Sequence, residues 1–390
     1  MLEIPTPSRP GVSAVIACGG TGGHLFPGLA VAEEVLRRGC RVTIMVSPKD
    51  VDQQAIASIS GMGIVTLPAV ALRRGGWLGF FSGFAKSYRL ARRLFEHQRP
   101  DVVLAMGGFV SAAPVLAGKR CGAKTFIHES NSIPGRANRW LARWVDGAFV
   151  YFPAAAQRLG AKRVEAPGMP VRPQFFRPLT AAQARTALGL NPSAPLVLIM
   201  GGSQGAGKVN DLALAAVPAL RQAAPELQFM HLTGARELEK VRAGYAVRGV
   251  PALVRAFYDD MSAALAAADV AVSRAGASSL AELAARRLPA VLIPYPFAAG
   301  DHQHFNALAF EQTGAARLLR EQTAAPGQLA DEILDLLRDG SKRSAMRLAL
   351  AAWNTPGASA RIAERILRWE TGENHASHAA ATKPLSVLNC

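Results

Sequence analysis

The sequence lacks several features that would point to particular classes of protein. It has only four cysteines in 390 residues, far apart and in no metal-ligand or disulfide spacing, which suits a reducing compartment and argues against a zinc site. Residues 1–10 contain no apolar core of signal-peptide length, so export is not expected. Glycine, serine and proline interrupt the apolar run of residues 102–118, which therefore predicts strand, loop and helix rather than a membrane span.

Acidic residues are also scarce. The chain has 28 Asp and Glu against 44 Lys and Arg, a net charge of +16, and most of the excess falls within residues 1–170. A basic excess confined to one half indicates an anionic partner for that half. An anionic membrane surface and a phosphorylated substrate both qualify, whereas nucleic acid is not expected because no recognised binding module accompanies the charge.

Short apolar runs alternate with helical patterns along most of the chain. Such runs at residues 14–18, 41–47 and 64–67 are separated by helical or polar segments, and the rhythm restarts at 196–200. This βαβ alternation predicts an α/β fold with parallel, doubly wound sheets. The length exceeds what one hydrophobic core usually serves, so two domains are expected, with their boundary in the proline-rich segment 151–178.

The turn GGTGGH at residues 19–24 lies between the first apolar run and a helical pattern that starts at Leu25. Its four glycines allow positive φ and let the backbone approach a ligand closely. The helix start behind them adds free N–H groups and partial positive charge, which suit a phosphate or diphosphate. Leu25 stands where the third glycine of G-x-G-x-x-G belongs, so the dinucleotide fingerprint is not met, and a sharp turn without a ligand is the alternative.

A second turn of small residues, 107–111, follows the predicted strand 101–105. The carboxyl ends of parallel strands share one edge of a sheet, so this turn is expected to face the same cleft as residues 19–24 and to clamp a diphosphate with it. The predicted strand 125–128 ends at that edge with Glu129, Ser130 and Asn131. Polar residues in such a position are expected to be functional.

The second half carries its own glycine-rich loop, residues 201–208, directly after an apolar run. From Gly202 it nearly matches the nucleotide P-loop, but Val209 replaces the hydroxyl residue that would hold magnesium, and Asp269 starts a strand rather than ending one. A P-loop-like nucleotide-binding protein is therefore the alternative from another class. After Gly276 a further helix begins, with Glu282 near its start, an arrangement that suits a nucleotide diphosphate and its ribose.

No metal site is expected from the remaining polar clusters. Asp50 and Asp52 form a D-x-D in a polar stretch and are interpreted as a solvated helix start. His302 and His304 are two residues apart, a spacing that points them away from each other on a helix. The segment 301–306 around them instead suits hydrogen bonding to sugar hydroxyls.

Residues 72–99 combine seven basic residues and one acid with aromatic residues near one end. A loop with exposed aromatic rings and a basic flank is typical of a membrane interface. The alternative is a core helix with a solvated basic face. The residues expected to contact the membrane are Arg73, Arg74, Trp77, Leu78, Phe80 and Phe81.

Eight motifs occur in one order: GGTGGH, MGGFVS, HESN, GMPVR, GGSQGA, FYDDM, SRAGASSLAE and DHQHFNA. Together, over residues 12–365, they resemble the MurG family of UDP-N-acetylglucosamine–N-acetylmuramyl-(pentapeptide) pyrophosphoryl-undecaprenol N-acetylglucosaminyltransferases. HESN and GMPVR differ slightly from HEQN and GNPVR seen elsewhere in that family. The resemblance implies the GT-B fold, in which two Rossmann-like domains face each other across a cleft. It implies inverting transfer of GlcNAc from UDP-GlcNAc to lipid I at the cytoplasmic face of the bacterial membrane, by a peripheral enzyme without a cofactor or essential metal.

The resemblance also implies domains and sites. The domains are an acceptor and membrane-associating domain at 1–170, a UDP-GlcNAc domain at 171–353 and a helix crossing back at 354–370. The polar tail 371–390 is extra to the family and is expected to be disordered, because it has little to bury. His24 is the favoured general base and Glu129 its rival. The donor-binding residues are Thr21, Gly22, Gly23, Asn131, Arg172, Ser203, Tyr258, Ala277, Ser278, Ser279, Leu280, Ala281, Glu282 and Gln303. The residues that bind the acceptor diphosphate are Gly20, Thr21, Gly22, Gly23, Gly107, Gly108, Phe109 and Ser111. Another GT-B glycosyltransferase with a lipid-linked acceptor is the nearest alternative.

Overall fold

The alternating pattern folds into two parallel sheets with helices on both faces. The computed structural model describes residues 11–369 except 21, 50–52, 54, 55, 57–59, 70–76, 203 and 204. For Trp77 it describes the backbone but not the side chain. Thr21, Ser203, Asp50, Asp52, Arg73, Arg74 and the predicted tail 371–390 thus lie outside the described residues. The doubly wound α/β fold predicted from the sequence is confirmed.

The first sheet has seven strands in the order β3-β2-β1-β4-β5-β6-β7, and all its pairs are parallel. Its first six strands follow the order of the nucleotide-binding Rossmann fold. Its strands are β1 Ser13–Ala17, β2 Arg41–Val46, β3 Gly63–Thr66, β4 Val102–Ala105, β5 Lys124–Glu129, β6 Gly147–Val150 and β7 Val164–Glu165. The helices of this half are α1 Gly22–Arg37, α2 Trp77–His97, α3 Ala112–Arg120, α4 Arg136–Leu141 and α5 Pro153–Leu159.

The second sheet repeats the same winding with six parallel strands, in the order β10-β9-β8-β11-β12-β13. Its strands are β8 Leu196–Met200, β9 Gln228–Leu232, β10 Ala252–Arg255, β11 Val270–Ser273, β12 Ala290–Leu292 and β13 Arg317–Leu318. The helices are α6 Ala181–Ala187, α7 Gly207–Ala223, α8 Leu238–Val247, α9 Met261–Ala267, α10 Ala277–Arg286, α11 His302–Gln312, α12 Pro326–Arg338, α13 Gly340–Trp353 and α14 Ala358–Arg368. Strands such as β8 and β11 are buried at every residue, as expected for parallel sheets covered on both faces.

The C-terminal helix α14 leaves the second half and packs against α1 and the first sheet. Ile362 and Ile366 are fully buried in the core of the first half, and the ring of Trp369 lies edge-on to Phe126 at 5.5 Å. The helix predicted to cross back over 354–370 begins at Ala358, after Pro356 and after Gly357 at φ +76°. Proline cannot continue a helix and glycine adopts positive φ at low cost, so the chain turns here.

A cluster of aromatic rings packs the two halves against each other. Phe152 follows β6 of the first sheet, and its ring centroid lies 5.3 Å from that of Trp353 and 6.3 Å from that of Phe310. Phe310 and Trp353 stack on each other at 4.4 Å. Phe310 lies in α11 and Trp353 ends α13, so the cluster packs the segment after β6 against two helices of the second half.

Candidate active site

The N-termini of two helices from opposite halves meet at the interface. Helix α1 follows β1, helix α10 follows β11, and the Oγ of Ser278 in α10 donates a hydrogen bond to the carbonyl oxygen of Gly23 in α1 at 3.1 Å. Each helix start carries free N–H groups and partial positive charge. Two such ends at one point form a site with a strong preference for an anion.

The two glycine turns of the first half interlock, as their common position in the sheet predicts. Gly20 has φ +88°, and a Cβ there would lie 2.8 Å from the Phe109 ring. Gly108 has φ +80°, and a Cβ there would lie 3.2 Å from the His24 ring. Side chains at either glycine would therefore force the turns apart.

Helix α1 begins at Gly22, three residues before the predicted start at Leu25, because the two glycines carry no apolar signal yet adopt helical conformation. A Cβ at Gly28 would lie 2.4 Å from Cβ of Cys18. Gly28 thus permits the close approach of helix and strand that the third glycine of the dinucleotide fingerprint provides elsewhere.

Ser111 shapes the second turn from within. Its hydroxyl donates to the carbonyl oxygen of Gly107 at 2.6 Å and accepts from the N–H of Gly107 at 3.1 Å, and the residue is fully buried. Both bonds commit the hydroxyl to the turn. Its effect on a ligand is therefore exerted through the position of Gly107 and Gly108.

Lys49 is a cation at this site that sequence reasoning missed. Its Nζ donates to the carbonyl oxygen of Gly20 at 2.6 Å and lies 5.3 Å from the centre of the Phe109 ring. The residue is exposed and follows β2 at the carboxyl edge of the sheet. Its position two residues after the predicted strand 41–47 was the available signal, but the surrounding polar stretch was interpreted as a solvated helix start.

Two histidines lie near each other here in different environments. His24 is half-buried, with its ring against Gly107 and Gly108. His128 is fully buried, with Nε2 3.1 Å from the Gly168 carbonyl oxygen, to which it donates. Burial lowers the pKa of His128 to about 4, so it stays neutral, and His24 is the imidazole beside the glycine turns.

Glu129 is the last residue of β5, where the sequence pattern placed it just after the strand, and both its carboxylate oxygens are occupied. Oε1 accepts from the N–H of Asn131 at 2.9 Å and from its Nδ2 at 3.3 Å. Oε2 accepts from the N–H of Gly135 and from Nδ2 of Asn138, each at 2.9 Å. These four bonds fold the loop after β5 around a buried carboxylate.

Arg172 lies between the two helix starts, at the segment that joins the halves. Its guanidinium carbon stacks 4.4 Å from the centre of the Phe26 ring in α1. Its Nη2 lies 3.8 Å from Oε1 of Glu282 in α10, and its buried Nε has no hydrogen-bond partner. An unpaired buried donor is costly, and an anionic ligand at this point would relieve that cost.

The carboxyl group of Glu282, within α10, is a weaker acid than an ordinary glutamate. Burial raises its pKa to about 7, and the nearby Arg172 guanidinium opposes that rise only in part. The hydroxyls of a ribose are suitable donors for the ionised form. Leu280 donates its N–H to the Gly276 carbonyl at 3.0 Å, so the free N–H groups of this helix are those of the residues before it.

The glycine-rich loop of the second half rests on a buried polar network. A Cβ at Gly205 would lie 2.4 Å from the Thr233 carbonyl oxygen, which accepts a bond from Nδ2 of Asn210 at 3.0 Å. The Oδ1 of Asn210 accepts from Nε2 of His231 at 3.0 Å, and burial lowers the pKa of that histidine to about 3. The loop is therefore held against β9 by uncharged groups.

Asp269 does not complete a P-loop site. It lies at the amino edge of the second sheet, where its Oδ2 accepts from Nη2 of Arg185 at 2.6 Å and from the N–H of Leu196 at 2.8 Å. The glycine-rich loop opens from the opposite edge. The carboxylate that a P-loop NTPase needs beside its magnesium is therefore absent from that edge among the described strand ends.

The remaining predicted donor residues lie on the second half. Gln303 is the second residue of α11, and its Oε1 accepts from the N–H of Tyr295 at 3.0 Å, which orients the side-chain amide. Tyr258 follows β10, the outermost strand of its sheet, and packs half-buried against the core. Ala277, Leu280 and Ala281 are buried within α10, so their side chains do not face outward.

Comparison with known proteins supports one assignment. The model of the glycosyltransferase family 28 N-terminal domain matches residues 14–150, and that of the family 28 C-terminal domain matches residues 196–362. The transferase of Sorangium cellulosum (strain So ce56) named UDP-N-acetylglucosamine–N-acetylmuramyl-(pentapeptide) pyrophosphoryl-undecaprenol N-acetylglucosamine transferase is 38% identical and covers 93% of this chain and 90% of its own. A protein of the same name from Geobacter sp. (strain M21) is 37% identical over 85% of this chain and 89% of its own.

A solved structure shares the architecture. The crystal structure of Acinetobacter baumannii MurG superposes with a TM-score of 0.71 at 26% sequence identity, over 92% of this chain and all of that one. The predicted GT-B fold, with two Rossmann-like halves facing each other, is thereby confirmed. The chain belongs to the MurG family of N-acetylglucosaminyltransferases.

Proposed function

We propose that this chain transfers GlcNAc from UDP-GlcNAc to the 4-hydroxyl of the N-acetylmuramyl sugar of lipid I (undecaprenyl-pyrophosphoryl-MurNAc-pentapeptide), forming lipid II for peptidoglycan synthesis. The relatives are named for this reaction. The observation that carries the proposal is the contact of Ser278 with Gly23, which brings two helix N-termini of opposite domains together beside Arg172. A reaction between two diphosphate-bearing substrates needs anion sites on both domains.

The donor diphosphate binds at the start of α10. The free N–H groups of Ala277–Ser279 and the hydroxyl of Ser279 face it, and the unpaired Nε of Arg172 supplies a donor from the other side. Glu282, one and a half turns deeper, accepts hydrogen bonds from the ribose hydroxyls. Ser203, Tyr258, Gln303 and Asn131 complete the donor site as the resemblance implies.

The acceptor diphosphate binds on the first domain. Gly20 and Gly108 lie in the two turns and carry no Cβ, so a ligand can approach the main chain closely there. Lys49 adds a flexible positive charge between the two turns. Phe109 and Ser111 hold the second turn in place.

His24 acts as the general base. It removes the proton from the acceptor 4-hydroxyl as that oxygen attacks C1 of GlcNAc, the bond from C1 to the diphosphate oxygen breaks, and UDP leaves with the electron pair. The four hydrogen bonds to Glu129 support His24 over its rival, because a carboxylate with both oxygens occupied accepts a proton poorly. Helix amides and Arg172 stabilise the charge on the departing UDP, so no essential metal is proposed.

The enzyme acts as a peripheral protein at the cytoplasmic face of the membrane. Among the residues described, none of the helices is both long and apolar enough to cross a bilayer. The start of α2 exposes Leu78 (89%) and Phe81 (58%), with Phe80 half-buried beside them, and exposed basic residues such as Arg89 and Arg93 follow along the helix. Exposed apolar side chains beside cations suit an anionic lipid surface.

Ligand titrations test the donor half of this proposal against the alternatives. Isothermal titration with UDP-GlcNAc, UDP and ATP is expected to give binding for the two uridine ligands alone. Tight ATP binding without UDP-GlcNAc binding would favour the P-loop reading instead. Transfer to another lipid-linked sugar, with lipid I inert, would identify the chain as a GT-B enzyme with a different acceptor.

A further inference from the structure

One buried side chain bonds to both domains at the same time. Asn306 lies in the second turn of α11 and is fully buried. Its Oδ1 accepts from the N–H and from the Oγ of Ser132, each at 2.9 Å. Its Nδ2 donates to Oδ1 of Asn131 at 3.1 Å and to the carbonyl oxygen of Ala275 at 3.2 Å. Both lone pairs and both N–H bonds of the amide are therefore used.

The partners of Asn306 lie at functional points of each domain. Asn131 and Ser132 belong to the loop after β5 in the first domain. Ala275 belongs to the second domain and immediately precedes Gly276, the residue that caps α10. The amide thus ties the start of the proposed donor-phosphate helix to the loop of the opposite domain.

The network continues through the first domain toward the acceptor turn. Asn131 donates from its main-chain N–H and its side chain to Glu129, and Glu129 accepts from Nδ2 of Asn138. A Cβ at Gly107 would lie 3.5 Å from that same Nδ2 and 3.0 Å from the His24 ring. Hydrogen bonds therefore run from Ala275, beside the donor helix, as far as Asn138, and Gly107 lies next to both Asn138 and the ring of the proposed base.

We propose that Asn306 is a positioning residue that latches the two domains in the closed arrangement and sets the donor helix against the Asn131 loop. The role of the positioned groups rests on the proposed function, whereas the latch itself rests on the four hydrogen bonds. If the domains stayed closed without this amide, the Ser132 N–H and the Ala275 carbonyl would be buried without these partners, and the half-buried Asn131 Oδ1 would lose its donor. That cost favours opening.

The test compares Asn306→Ala with the wild-type chain by small-angle X-ray scattering and by kinetics. The variant is expected to have a larger radius of gyration in the presence of UDP-GlcNAc. Its kcat for transfer is expected to fall about 100-fold, while the dissociation constant of UDP, held mainly by the second domain, rises less than about 5-fold. If the variant is only partly unfolded, kcat will fall in proportion to the circular dichroism signal. That result would overturn the proposal.

Two further variants keep the test decisive if Asn306→Ala folds poorly. Ser132→Ala removes one of the four bonds and keeps the main chain, so a smaller fall in kcat, about 3- to 10-fold, is expected. In a double-mutant cycle, Ser132→Ala is expected to add little to Asn306→Ala, because both remove the bond between Ser132 Oγ and Asn306 Oδ1. Full additivity of the two, or unchanged kcat in Ser132→Ala and Asn306→Ala alike, would overturn the latch.

Asn191 provides a matched control. Asn191 is exposed, and among the described residues its Oδ1 accepts a hydrogen bond from the N–H of Ser193 in its own turn. Asn191→Ala is therefore expected to match the wild type in scattering and kinetics. If the wild-type chain itself does not transfer GlcNAc, the proposed function fails. The scattering comparison then still decides whether Asn306 holds the domains together.

Discussion

At the scale of single residues, the surroundings of a side chain separate a reacting group from a supporting one. In the sequence His24 is the favoured base and Glu129 its rival, and both lie near strand ends of one sheet. In the structure, four donors surround Glu129, whereas His24 lies half-buried against the two glycine turns. Sequence patterns report that a polar residue is at a strand end, but they do not report how many of its lone pairs are occupied.

Replacing the two candidates separates their roles. His24→Ala is expected to lower kcat by about 10²- to 10⁴-fold with little change in the KM for UDP-GlcNAc, because it removes proton transfer and leaves the donor contacts. Glu129→Gln is expected to lower the melting temperature, because an NH2 group then faces donors of the loop. Steady-state kinetics and differential scanning fluorimetry measure both effects. Unchanged turnover in His24→Ala would show that His24 is not the general base.

The acidity of Glu282 predicts a pH dependence for donor binding. Its pKa of about 7 means that the group is largely protonated at pH 6 and ionised at pH 8. Since the ionised form accepts bonds from the ribose hydroxyls, affinity for UDP-GlcNAc is expected to rise about 5- to 10-fold over that interval. Calorimetric titration measures the profile, and Glu282→Gln should flatten it. A flat wild-type profile would contradict the ribose assignment.

At the scale of elements, the strong periodic segments were predictable and the short ones were not. The bounds of β8 match the predicted strand, because five consecutive apolar residues precede a glycine turn. Strands β6, β7 and β13 have only four, two and two residues, and the sequence pattern did not predict them. Such strands form because a neighbouring strand already offers its edge, which is tertiary information.

Helix α2 carries the prediction for membrane binding. The double variant Leu78→Asp with Phe81→Asp is expected to lose binding to vesicles of anionic phospholipid, because it places charge where apolar side chains enter the lipid interface. Val247→Asp, at an 86% exposed position on α8, is the matched control and should bind like the wild type. Vesicle cosedimentation measures both. Equal binding by the double variant would remove α2 from the membrane contact.

Two strands carry buried histidines that predict acid sensitivity. The folded pKa values of His128 on β5 and His231 on β9 are about 4 and about 3, below the unfolded value of 6.5. Their contributions to stability are therefore present above pH 6.5 and are lost as the pH falls toward these folded values, on the order of 3 kcal/mol for each.

Urea unfolding between pH 7.5 and pH 4.5 measures this loss. His231→Gln is expected to make the decline in the free energy of unfolding shallower, because the variant has one fewer buried group to protonate. His97→Gln, at an exposed position, should leave the slope unchanged. Stability that stays constant down to pH 4.5 would contradict the neutral, buried state of these histidines.

At the scale of the whole molecule, the site exists only because two similar halves meet. The sequence predicted both glycine-rich edges and the family. It did not predict the contacts that cross between domains, such as those of Asn306 with Ser132 and of Ser278 with Gly23, which join residues more than 170 positions apart. Local patterns specify each sheet, whereas the relative position of the sheets depends on long-range packing around Phe152 and Trp353.

A transfer assay with the purified full-length chain tests the central claim most directly. The chain is incubated with UDP-[14C]GlcNAc and lipid I in EDTA, and the lipid product and free UDP are quantified. We expect one UDP released per labelled lipid II formed, with the β linkage that inversion requires, at a rate unaffected by the chelator. UDP release without labelled lipid, or activity restored only by added Mg²⁺, would contradict the account.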